Sequence, residues 1–181
     1  DKQAILANKV RTFQTELNNT INAILARHQP MDKKLSIHEG IITTDVGIGK
    51  VGGAGLGSYC TQNGDNGKLQ TMECSQRPGI DTAKCTTACK KSIKLKPGLS
   101  SIDIDFDMAG NVTSSLDLPA GATLMDIESA AVDAFACRAF IGERGCGREA
   151  PFEAVRRALA NNPGFFRYNQ VGLEKYSILM L

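Results

Sequence analysis

The sequence predicts an α/β fold, a Rossmann-like parallel sheet flanked by helices, with a long disulfide-stapled loop and a hairpin inserted in it. Three observations point there. Helical periodicity and β-branched runs alternate along the chain. Four of the six cysteines gather in one loop-rich stretch. A short apolar run at 176–181, YSILML, suits a strand buried on both faces. The 181 residues read as a single domain, 1–181, with a Cys/Gly-rich insertion at about 46–118.

The first element is a helix. Leu6, Val10, Phe13, Leu17, Ile21 and Ile24 recur three and four apart, giving one apolar stripe. The spacing predicts a helix from about Lys2 to Arg27, ending before Pro30. Leu35–Thr44, LSIHEGIITT, is β-branched and reads as a strand. Asp45 follows that strand directly.

From Val46 to Leu99 the regular pattern fails, and Gly, Ser, Asn, Asp and Cys dominate. Gly64-Asp65-Asn66-Gly67 is a tight turn. Ile102, Ile104 and Phe106 then alternate with Asp103, Asp105 and Asp107, a strand with one acidic face. Ala109-Gly110-Asn111 turns it, and Val112–Leu118 returns as its partner.

Asp126–Phe140 reads as a helix that buries Ile127, Ala130, Ala131, Ala134, Phe135 and Cys137. A turn with Cys146 between Gly145 and Gly147 separates it from the next helix. That helix takes Pro151 in its first turn, where the missing N–H costs nothing. Phe152, Val155, Ala158 and Leu159 supply its apolar positions, and Asn161-Asn162-Pro163-Gly164 ends it.

Composition narrows the function classes. The formal net charge is +2, too small to argue for nucleic acid. No apolar run reaches membrane-spanning length. The six cysteines, Cys60, Cys74, Cys85, Cys89, Cys137 and Cys146, form no C-x-x-C, and only His28 and His38 could assist a zinc site. Three disulfides in a secreted domain fit better than six reduced thiols. Cys137 with Cys146 is the expected pair, being close in sequence across a turn; the other four cysteines are expected to staple the loop region. The chain is therefore expected outside the cytosol: extracellular, on a cell surface, or in a periplasm or outer envelope.

Several local motifs have two readings. Asp45 is a candidate metal ligand at a sheet edge, or an Asp that caps a turn through its own backbone. Glu149, at a helix start, is a second candidate ligand, or an acid that favours the helix N-terminus. Asp103, Asp105 and Asp107 lack the glycine and terminal glutamate of a calcium loop. His38, inside a strand, reads as structural. Gly47-x-Gly49-x-x-Gly52 matches a dinucleotide fingerprint in letters only, because GGAGLGS cannot open the helix that would hold the pyrophosphate.

IITTDVGIG at Ile41–Gly49, GDNGKLQ at Gly64–Gln70, LPAGATLMD at Leu118–Asp126, FACRAFIGERGCGREAPFEAVRRAL at Phe135–Leu159 and NPGFFR at Asn162–Arg167 carry a family resemblance. In order and spacing they resemble the secreted, cysteine-containing von Willebrand factor type A domains of bacterial surface proteins and lipoproteins. The resemblance implies a doubly wound α/β domain with a metal-ion-dependent adhesion site. It implies a cell-adhesion role, a protein or extracellular-matrix ligand, and a divalent cation, Mg²⁺, Mn²⁺ or Ca²⁺. The family's Asp-x-Ser-x-Ser motif and its strand have no counterpart here, so the chain reads as an interior piece whose missing strand a complementing chain or oligomer would supply. The family's main metal ligands therefore have no counterpart here; Asp45, at the carboxyl end of its strand, and Glu149, near where the family's threonine would fall, are the positions left to nominate.

The expectation is thus a non-enzymatic, extracellular binding or adhesion domain. Two alternatives remain open: a secreted α/β hydrolase using Asp45 or Glu149 as acid or base, and a structural subunit of a surface filament. No Gly-x-Ser-x-Gly elbow occurs.

Overall fold

The strands of this protein alternate apolar and polar residues, and that pattern decides the sheet. In the computed structural model, Leu35–Glu39 forms β1, Ile102–Phe106 forms β2 and Val112–Ser114 forms β3. They make one antiparallel sheet in the order β1-β2-β3. Leu35 pairs with Phe106, Ile37 with Ile104 and Glu39 with Ile102. Ile104 then pairs with Ser114 and Phe106 with Val112. The structure describes residues 9, 11–12, 15–16, 18–20, 22–23, 26, 35–47, 64–141, 150–162 and 165.

This corrects the expected parallel, Rossmann-like sheet. A parallel sheet is covered on both faces and needs near-continuous apolar strands. IDIDF instead buries Ile102, Ile104 and Phe106 and leaves Asp103 and Asp105 half-buried on the other side. One apolar face packs on one helical layer, which an antiparallel sheet tolerates. The expected closing strand at 176–181 lies outside the described residues.

Two compact units divide the chain: residues 1–40 with 71–141, and residues 41–70 with 142–181. In the first unit, the described residues between 9 and 26 are helical, in agreement with the helix expected there. Arg11 from that stretch donates to the Asp133 carboxylate at 3.1 Å and to the Ala88 carbonyl at 2.8 Å. The segment expected to lack regular structure holds a 3-10 turn, Cys74–Gln76, and a short helix, α1, Thr82–Ala88. Asp81 starts α1 by accepting from the Ala83 N–H at 2.9 Å.

The helix expected at Asp126–Phe140 is present as α2, Leu124–Ala139. Thr123 and Asp126 form a reciprocal capping box at its N-terminus. Its buried face, Ile127, Ala130, Ala131 and Ala134, meets Ile93, Ile102, Ile104, Phe106 and Leu116 in the main core. The alanines let the helix axis approach the sheet closely. The β2–β3 turn is capped by Asp107, whose carboxylate accepts from the N–H groups of Ala109 and Asn111 at 2.8 and 2.9 Å. The expected return strand Val112–Leu118 breaks after Ser114, and Leu116 makes an isolated bridge to Leu95.

A smaller core joins Cys74, Cys85, Ala88 and Phe140. Two disulfides fix it: Cys74–Cys85 and Cys89–Cys137. The second corrects the expected Cys137–Cys146 pair. Cys137 lies within α2 and is fully buried. It bonds Cys89, the C-cap of α1, where the two helices pack. Cys60 and Cys146 lie outside the described residues.

In the second unit, Pro151–Asn161 forms α3, with Pro at its start and Ala154 and Ala158 buried. Glu153 accepts from Arg156 and Arg157 one turn on, and these bonds hold its carboxyl down at about 2. Arg157 also donates to the Val46 carbonyl at 2.8 Å and to the Asn66 side chain at 3.1 Å. One guanidinium thus joins the helix, the loop around Asp45 and the Gly64–Gly67 turn. Asn161 and Asn162 add bonds to the carbonyls of Asn66 and Gly67 at 2.8 and 3.0 Å.

Candidate functional site

Asp45 sits half-buried on the loop after β1, within the second unit. Its carboxylate accepts from the Gly47 N–H at 2.9 Å, so it caps a turn of its own backbone. The Asp45 carbonyl accepts from the Asp65 N–H at 2.9 Å. Thr43 links the same two residues through its hydroxyl, which donates to the Asp65 carboxylate at 2.6 Å and accepts from the Asp45 N–H at 3.3 Å. Asp45, Thr43 and Asp65 therefore gather oxygen donors on two adjoining loops.

Gly64 makes this approach possible. Its φ is +54°, and a Cβ there would lie 2.3 Å from the Asp45 carboxylate oxygen. The GDNG turn was legible in the sequence, but its pairing with the Thr43–Asp45 loop was not, because twenty residues separate Asp45 from Asp65. Nothing in the spacing marks Thr43 or Asp65 as partners of Asp45. Glu149, the other nominated ligand, lies outside the described residues. The chemistry that the three oxygen-bearing side chains suit is a hard cation, which prefers carboxylate and neutral oxygen ligands.

In the first unit the acidic run disperses, as a strand face should. His38 Nδ1 meets the Asp103 carboxylate at 2.8 Å, across the β1–β2 ladder. Ser36 donates to Asp105 two register positions along, on the same face. Asp107 is occupied by its turn, and the bonds from Asn111 first of all lower its pKa. The hydrogen bond that His38 donates to Asp103 raises the His38 pKa, against the opposing effect of burial. These are cross-strand pairs of a half-buried sheet face.

Deeper in the first unit lies a buried ion pair that sequence patterning missed. Arg138 and Glu73 are each 5% exposed, and their nearest charged atoms are 3.8 Å apart. Arg138 donates to three carbonyls: Thr71 at 3.2 Å, Ala134 at 2.9 Å and Ile93 at 2.9 Å. Glu73 accepts from the Ser92 hydroxyl at 2.6 Å. Burial lowers the Arg138 pKa, and Glu73 counters it. Glu73, Cys89 and Cys137 also place ligand-type atoms within 4.8 Å of one another. Both sulfurs belong to one disulfide, so neither is a thiolate and the trio is no metal site in this oxidised form.

Comparison of the chain with protein-family models, curated proteins and solved structures found no match. The antiparallel sheet is also not the one implied by the family that the motifs resemble. Function is therefore argued from these side chains alone.

Proposed function

We propose that this chain is an extracellular, non-enzymatic binding domain, and that the loop edge around Asp45 engages a protein or matrix ligand through a divalent cation. The observation that carries the reading is the Thr43 hydroxyl standing between Asp45 and Asp65. It places two carboxylate-bearing residues and a neutral oxygen donor on adjoining loops, the donor set of Mg²⁺, Mn²⁺ or Ca²⁺. Cys74–Cys85 and Cys89–Cys137 support an oxidising compartment. Among the described residues no helix is long and apolar enough to cross a membrane. In binding, the cation would bridge Asp45 and Asp65 to a carboxylate of the ligand; no bond is made or broken in the ligand.

The test is calorimetric titration of the oxidised chain with each of the three cations, repeated on Asp45→Asn and Asp65→Asn. Saturable heat that disappears in both variants is the expected result. No heat in the parent chain, or binding that both variants retain, would sink the cation reading.

A further inference from the structure

A cleft of about 290 Å³ opens in the first unit between the Lys94–Leu99 segment and the segment around Glu73, with Arg138 among the residues that line it. Lys94, Lys96 and Arg138 are the cationic residues of its lining, and Glu73 is the carboxylate among them. That carboxylate is already engaged by Ser92 and Arg138. The lining residues therefore carry three cations against one anion, and Asp117, opposite Lys94 across the Leu95–Leu116 bridge, leaves one positive charge in excess, on the side of Lys96.

The local backbone explains why the lysines converge. Leu95 bridges to Leu116 and packs against the main core. In an extended segment, alternate residues point to opposite sides, so Lys94 and Lys96 both turn away from that core. The Lys96 N–H bonds the Ser115 carbonyl at 2.8 Å, and the Asp117 N–H bonds the Lys94 carbonyl at 2.9 Å, which holds the segment extended. The Lys96 ammonium gives one bond to the Ser114 carbonyl at 2.7 Å and has three protons to give. Leu99, 44% exposed, and Pro97 add an apolar margin.

We propose that this cleft receives an acidic side chain of a partner protein's peptide segment, with an apolar neighbour of that side chain seated on Leu99. Charge complementarity selects the acid. Size and the apolar margin select a peptide over a sulfated polysaccharide. The volume stands at the low end of ligand pockets, roughly 300 Å³ and upward, and takes one or two side chains. A sulfated sugar offers Leu99 only a narrow ring C–H face, less apolar surface than an aliphatic side chain. This assignment is separate from the cation at Asp45, since a chelator would abolish one and leave the other.

The experiment uses the full oxidised chain and a fluorescent, capped peptide of alternating glutamate and leucine, read by anisotropy at low ionic strength. The comparison probe has glutamine in place of glutamate. Expected are binding of the glutamate peptide alone, weakening with added salt, and a loss of about tenfold or more in Lys94→Glu/Lys96→Glu. Leu99→Ser, at an exposed position, is a second variant that tests the apolar seat even if the double charge reversal fails to fold; it too should weaken binding. Ethylenediaminetetraacetate should change nothing. Equal binding of the glutamine peptide, or unchanged binding in both variants, would overturn the proposal. Tighter binding of heparin, lost in the same double variant, would also overturn it and give the cleft to sulfated polymers.

Discussion

Arg138 lies 3.8 Å from Glu73 with both side chains almost fully buried, and the guanidinium spends its donors on three backbone carbonyls. The pair therefore works as an anchor. It holds the segments around Thr71 and Ile93 to the last turn of α2. Taking two charges out of water is costly, and good geometry only offsets that cost. The asymmetry of the partners gives a test. Glu73→Gln keeps the shape and a bond to Ser92, and should cost about 1–2 kcal/mol. Arg138→Met strands a buried carboxylate and the Thr71 and Ile93 carbonyls, and should cost about 3–5 kcal/mol. Urea unfolding monitored by far-UV circular dichroism would measure both. Equal costs for the two substitutions would mean that the carbonyl bonds contribute little.

The disulfides differ in the loops they close. Cys89 and Cys137 are 48 residues apart, Cys74 and Cys85 only 11. By loop-closure entropy the longer bridge is worth about 4 kcal/mol and the shorter about 3 kcal/mol. Paired serine substitutions, C89S/C137S against C74S/C85S, should lower the midpoint of denaturation in that order. The longer bridge also joins α1 to α2, so its loss should expose Phe140 and increase the fluorescence of a hydrophobic dye. A larger effect from the shorter bridge would argue against the entropic ranking.

The local elements were legible in the sequence wherever a single periodicity governs a segment. The helix expected through residues 9–26, the alternation Ile102–Phe106 and the run Ile127–Ala134 each appear as expected among the described residues. Strand direction was not legible from the order of helices and strands. Yet the Asp alternation in β2 did carry it, since a strand with one acidic face cannot lie inside a parallel sheet. The Cys89–Cys137 bond was illegible for another reason. Closeness in sequence suggested Cys146, whereas the side chain of a helical cysteine points where the helix packs. At the candidate site, Asp45 stood out as the residue after a strand. Asp65 and Thr43 join it through a contact between loops, and single-sequence spacing holds no record of such a contact.

His38 should make stability fall as pH rises upward from the ordinary imidazole range. Its pKa is raised by Asp103, so the folded chain holds a proton that the unfolded chain releases near about 6.5. The stabilisation is fully present below that value and is lost as pH rises through the folded pKa. Asp105 acts in the same sense at lower pH, because burial raises its carboxyl. The free energy of unfolding should therefore fall as pH increases from about 6 to 8. Asp103→Asn should flatten that slope, and Asp105→Asn should largely preserve it. An unchanged slope in Asp103→Asn would show that the His38 proton is not held by this pair.

The turn at Gly64–Gly67 is held against α3 so closely that a single methyl group should separate them. Gly67 has a φ of +69°, and a Cβ there would lie 2.5 Å from the Ala158 nitrogen and 2.8 Å from the Arg157 carbonyl carbon. Both are backbone atoms of a helix, so neither can yield without moving α3. Gly121 has a φ of +83° and nothing within 4 Å of the same position. Gly121→Ala should cost only the left-handed backbone penalty, about 1–2 kcal/mol. Gly67→Ala carries that penalty and the steric clash. It should also break the Asn162 bond to the Gly67 carbonyl and weaken the Arg157 bond to Asn66. Hydrogen exchange of the α3 amides should accelerate in Gly67→Ala and stay unchanged in Gly121→Ala. Because the same turn carries Asp65, loss of cation binding in Gly67→Ala would tie the proposed site to this helix–turn contact. Retention of cation binding despite faster exchange would place the ligands on the Thr43–Asp45 loop alone.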